Sequence, residues 1–134
     1  MEHLQHLLPE GWPTPKGYAN GISAKGRMVF VAGQVGWNPV TMKFEHKDFV
    51  GQFRQTLENT LAVLRAAGAG PEHMVRMTWY ITDKKAYIAN IREVGAAYRE
   101  VLGKNFPAMA VVAVSALMED EALVEIETTA VLPD

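Results

Sequence analysis

Residues 106–131 read FPAMAVVAVSALMEDEALVEIETTAV, and this stretch decides the fold. Apolar and β-branched residues dominate both of its arms, and no Gly or internal Pro interrupts them. The pattern predicts two long strands joined by a short acidic turn at Met118 to Glu121. The first arm, Ala108 to Leu117, is apolar at nearly every position, so both of its faces must be covered. The second arm alternates: Val124, Ile126 and Ala130 fall on one face, and Leu123, Glu125, Glu127 and Thr129 on the other. Two carboxylates thereby share a face with apolar neighbours. Such a carboxylate is either solvated on an open sheet or held in a cleft.

Working outward, Met74 to Ile81 has the composition of a central strand. Between it and the first strands, Phe49, Phe53, Leu57, Leu61 and Leu64 recur at helical spacing, with Asp48 as N-cap and Gly68 as stop. Asp83 caps a second helix that carries Tyr87, Ile88, Ile91, Val94, Tyr98, Val101 and Leu102 and ends at Gly103. Tyr18–Ser23 and Arg27–Ala32 form a predicted hairpin around Ala24, Lys25 and Gly26. Gly33, Gly36 and Asn38-Pro39 then take the chain out of the sheet, and glycines so placed let a ligand approach the backbone. Pro9, Pro13 and Pro15 make residues 1–17 an irregular arm packed by Leu7, Leu8 and Trp12, ahead of one domain at 18–134. The expected architecture is α+β, a ββαβαββ mixed sheet with two helices on one face. The other face needs a cover, and a second copy of the chain is the simplest one; the alternative is the N-terminal arm.

Composition narrows the function. The chain has 134 residues, 49% of them apolar and 21% charged, which suits one soluble domain. A net charge of −2 without any Lys/Arg cluster argues against nucleic acid as the main ligand. The lack of cysteine excludes thiol nucleophiles, disulfides and Cys-based metal sites. His3, His6, His46 and His73 do not compose a zinc motif, and no phosphate-binding glycine motif or nucleophile elbow is present. No stretch approaches the roughly 20 apolar residues of a membrane span, so the expectation is a cytoplasmic protein with no membrane partner.

Several segments together resemble one family. Tyr18 followed by Gly21, MVFVAGQVG at 28–36, QTLENTLAVLRAAG at 55–68, MTWYITD at 77–83, FPAMAVVAVSAL and VEIETTAV are similar, in order and spacing, to the YjgF/RidA family, also called reactive intermediate deaminase or endoribonuclease L-PSP. The resemblance implies a chorismate-mutase-like fold and a homotrimer whose sheets form a central barrel, with a small-molecule site in each inter-subunit cleft. It also implies hydrolysis of enamines and imines to a 2-keto acid and ammonia, with no metal or organic cofactor. Carried over residue by residue, the family's pocket Tyr falls on Tyr18 and its water-positioning Glu on Glu125. The pocket Ser falls on Ala32, beside Gly33 and Gln34, whose backbone N–H groups are oxyanion candidates or part of a plain turn. The pocket Asn falls on Arg92. The carboxylate-clamping Arg is replaced by Met109, so the chain reads as a divergent member with a more apolar pocket, and Arg92 is the candidate replacement anchor. A non-catalytic small-molecule-binding trimer is the alternative, and an RNA-acting protein a weaker one.

Overall fold

The computed structural model describes residues 3–134. Strands and helices follow in the order β1 (Leu4–Leu7), β2 (Gly21–Ala24), β3 (Arg27–Val35), α1 (Phe49–Ala66), β4 (Met74–Ile81), α2 (Lys84–Ala89), α3 (Ile91–Leu102), β5 (Ala108–Ala113) and β6 (Val124–Leu132). The α+β, chorismate-mutase-like arrangement expected from the sequence is present.

The main sheet has the order β3-β6-β4-β5. β6 runs antiparallel to both β3 and β4, while β5 runs parallel to β4. β5 and β6 are therefore not neighbours, which corrects the reading of 106–131 as two strands joined by a short turn. β5 ends at Ala113, and the chain travels past the end of β4 before re-entering as β6.

Alternation along β6 holds. Val124, Ile126, Thr128 and Ala130 are buried, and with Met77, Trp79 and Ile81 of β4 they face the helices. α1 lays Phe53, Leu57 and Leu64 on this surface, and α3 adds Val94, Ala97, Tyr98 and Leu102. Asp48 caps α1, its carboxylate accepting from the Gly51 N–H at 2.8 Å. Asp83 caps α2 in the same way, accepting from the Ala86 N–H at 3.1 Å. The predicted single second helix is two, because the chain leaves helical geometry at Asn90 (φ −111°, ψ 20°).

The N-terminal reading also needs correction. β2 does not pair with β3; it pairs antiparallel with β1 in a separate ribbon, so residues 1–17 hold a strand rather than an irregular arm. Leu7, Leu8 and Trp12 are exposed. The ribbon lies against one end of the open sheet face, where the His3 ring meets the Val131 carbonyl at 2.8 Å. Phe30 (71% exposed) and Met28 (56%) remain open to solvent.

Candidate functional site

The face of the sheet away from the helices carries Glu125. It sits opposite Val35 of β3 and Tyr80 of β4. Between Val31 and Gln34 the register with β6 slips by one residue, so β3 bulges at Ala32 and Gly33. The Glu125 carboxylate lies across this bulge, so close that a Cβ on Gly33 would stand 2.1 Å from Oε2. Ala32 and Gly33 are thus brought beside Glu125, while Gln34 follows the bulge level with Ile126, its amide donating to the Ala32 carbonyl at 3.1 Å. Glu127, two residues along, is engaged within the sheet, where it accepts the Tyr80 hydroxyl proton at 2.6 Å. That bond to a carboxylate raises the Tyr80 pKa above its usual 10.0.

The other predicted residues lie on the opposite side of the sheet. Met109 pairs with Met77, and Val111 with Trp79, in the parallel β4–β5 ladder. Residues level with each other in such a ladder share a face, so Met109 and Val111 point toward the helices. There a cavity of about 450 Å³ opens between β5, α3 and residues 16–18. Tyr18 reaches it because its neighbour joins the sheet: the Ala19 N–H donates to the Pro107 carbonyl at 3.0 Å, next to the start of β5.

The cavity walls are mainly apolar and aromatic. Trp79, Tyr87, Ile91, Val94, Tyr98, Phe106, Met109 and Val111 supply them. Among the described residues, the only charged ones lining it are Lys16 and Arg99, both basic. Burial raises the pKa of the Tyr87 hydroxyl, and more strongly that of Tyr98, so both are neutral donors at ordinary pH. Tyr98 spends its proton on the Asn105 carbonyl, and the buried indole N–H of Trp79 has no partner among the described residues.

Of the seven residues singled out from the sequence, Tyr18 and Met109 share the cavity, Ala32, Gly33 and Glu125 share the open face, and Gln34 lies past the bulge, level with Ile126. Arg92 belongs to neither group. α3 turns Ile91, Gly95 and Arg99 toward the cavity, one turn apart, and Arg92 is one residue out of that phase. Sequence reasoning missed Arg99 and Gly95, although the spacing i, i+4, i+8 from Ile91 marks them as one face. Trp37 is a packing residue, its ring 5.8 Å from that of Phe44.

A family model described as endoribonuclease L-PSP matches residues 13–132, spanning both groups. The chain belongs to the endoribonuclease L-PSP family, known equally as YjgF/RidA. A RutC family protein of Pyrococcus horikoshii is 38% identical over 125 residues, covering 92% of this chain and 94% of that one. Among solved structures, the Rid-family protein YyfB of Yersinia pestis is 34% identical with a TM-score of 0.82, over 97% of this chain and 99% of its own. TdcF of E. coli, solved with bound serine, is 30% identical with a TM-score of 0.68, over 89% and 91%. Within this L-PSP-family chain, the helical cavity holds Tyr18 and Met109, and the open face holds Ala32, Gly33 and Glu125.

Proposed function

We propose that the protein is a homotrimeric, cytoplasmic hydrolase of small enamines or imines whose site is split between neighbouring subunits. One observation carries this reading: Glu125 and the Tyr18–Met109 cavity lie on opposite faces of one sheet, so a single chain cannot bring them to one ligand. A neighbouring copy can, and the exposed Phe30 and Met28 beside the Glu125 face supply the apolar surface that such a copy would cover. Family membership supports the reaction class, and the serine bound in TdcF supports a small amino-acid-like ligand.

The chemistry asks for little. A water held by the Glu125 carboxylate adds its oxygen to the imine carbon, the C=N electron pair moves to nitrogen, and the water's proton passes through Glu125 to that nitrogen. The C–N bond of the resulting carbinolamine then breaks, its hydroxyl proton following to nitrogen, and a keto compound and ammonia leave. An enamine enters this path by taking a proton at its carbon terminus. Gly33 keeps the carboxylate against the strand, where a side chain would displace it.

Subunit complementation tests the split. Glu125→Gln removes one half, and Ile91→Trp, at an exposed position on the cavity rim, blocks the other. Each variant alone should fail to release ammonia from an imine generated in situ from an amino acid. Co-refolded in equal amounts, they should recover about a quarter of native turnover, because a random assembly pairs two intact halves at that frequency. No recovery on mixing places the site within one chain. No turnover by the native protein on any imine leaves the non-catalytic binding trimer.

A further inference from the structure

We propose that Arg99 is the anchor for a ligand carboxylate in the α3–β5 cavity, and that the ligand is a monoanion with an aromatic or branched apolar body. The inference rests on the reading above only in treating the cavity as part of the reacting site.

Three observations converge on Arg99. It lines the cavity together with Met109, Tyr18 and Phe106, while no carboxylate among the described residues lines the same space. It has no acidic partner among them either: the Lys/Arg ion pairs are Lys47–Glu121 and Arg54–Glu100, and Glu100, the residue next to Arg99, is taken by Arg54. Gly95, one helical turn earlier, lies directly under its guanidinium, where a Cβ would come within 3.2 Å of Nη1. Glycine within a helix is a conformational liability, and here it leaves the space in which the guanidinium rests across the helix toward the cavity. A rule of local sequence preference is broken at a concave surface, which is where functional sites break such rules. Gly95 is thereby a positioning residue for Arg99.

Ligand class follows from the walls. A planar guanidinium binds a carboxylate through two parallel hydrogen bonds, and Lys16 adds a second positive charge at the same opening. Across from them, Phe106, Val111 and the Met109 thioether offer an apolar, adaptable surface larger than a methyl or hydroxymethyl group needs. With the guanidinium on α3 and only Met109 and Val111 supplied by β5, the space around Met109 takes the ligand's side chain. The substrates of such a site are 2-imino acids with a phenyl or branched alkyl group, in preference to the smallest ones.

Binding, not turnover, tests this. Phenylacetate, a monoanion with an aromatic body, and phenylacetamide, its uncharged isostere, are titrated calorimetrically against the native protein, Arg99→Gln and Gly95→Ala. Phenylacetate should bind the native protein about tenfold or more tighter than the amide does, the ratio expected of a charge-assisted bidentate contact. Arg99→Gln should bring phenylacetate down to the level of the amide and leave amide binding unchanged. Gly95→Ala should raise Tm, as a better helix former, and still weaken phenylacetate, a combination that a merely structural glycine does not give. Undetectable phenylacetate binding by the native protein, or equal binding by native and Arg99→Gln proteins, overturns the proposal. Because no reaction is needed, an inert protein that binds the anion through Arg99 would sink the hydrolase reading and keep this one. A protein whose imine hydrolysis is unaffected by Arg99→Gln would do the reverse.

Discussion

Glu125 and Gly33 belong to different strands, yet a Cβ on Gly33 would stand 2.1 Å from the Glu125 carboxylate oxygen. The contact exists because β3 bulges by one residue at this level, and the bulge turns bare backbone toward the carboxylate. Placement of Glu125 therefore depends on the strand beside it as much as on its own.

Gly33→Ala separates placement from stability. The atom in the way is the far end of a flexible side chain, so Glu125 swings aside at an off-rotamer cost of about 1 kcal/mol or less. Turnover should fall nearly as far as with Glu125→Gln, while the thermal midpoint stays close to native. Ammonia release and a melting curve on the same sample check both halves.

Gly36→Ala should behave in the opposite way. A Cβ there would meet backbone atoms of Gln52, the carbonyl oxygen at 2.4 Å and Cα at 2.7 Å, and neither can move without shifting α1. The loss of stability should be about 2 to 3 kcal/mol in urea denaturation, at the upper end for overpacking. This glycine admits a helix, where the sequence pattern suggested close approach of a ligand.

Much of the fold was legible because it is local. The apolar spacing from Phe49 to Leu64 with Asp48 before it, and the alternation from Val124 to Ala130, report which face is buried without reference to distant residues. The strand order was not legible, since inserting β6 between β3 and β4 is a pairing across scores of residues that leaves no periodic trace. The same holds for β1, which finds β2 across a proline-rich loop. Among the candidate-site residues, Tyr18 and Glu125 were singled out by type and place, and Arg92 as a candidate anchor. Helical phase advances about 100° per residue, and from Tyr87 of α2 the four-residue spacing runs on through Ile91, Gly95 and Arg99 of α3, all of them lining the cavity. Arg92 came from matching a family position rather than from that spacing, and it lies one residue off the row.

Gln52 should be among the costliest polar residues to remove. It is 1% exposed, and its amide donates to the His46 carbonyl at 3.1 Å and the Glu121 carbonyl at 2.9 Å while accepting from the Leu123 N–H at 2.8 Å. It thus ties the loop before α1 to the loop before β6. Gln52→Leu leaves three backbone groups without partners, and the expected loss is about 2 to 4 kcal/mol, read by chemical denaturation.

Alkaline pH should expose the contribution of Tyr98. Burial raises its pKa well above 10.0, so its stabilising effect is complete below pH 10. Above that value the unfolded chain loses the phenolic proton while the folded chain keeps it, and stability falls as pH rises toward the folded pKa. Tyr98→Phe should cost about 1 kcal/mol at pH 8, through loss of the hydrogen bond to the Asn105 carbonyl. It should also flatten the decline above pH 10. Parallel slopes for the two proteins would assign the alkaline loss to other groups, the half-buried Tyr87 first among them.

Phe30 offers the most direct test of assembly. Its ring is 71% exposed on the face that carries Glu125, flanked by Met28, and burying such a ring contributes about 1.5 to 3 kcal/mol per copy. Phe30→Glu puts a charge where a neighbouring sheet would lie, without touching the core beneath the helices. The proposed trimer should give way to a folded monomer by sedimentation and circular dichroism, with imine hydrolysis lost. A variant with the native mass would show that this face does not join the copies, and the split-site reading would fail with it.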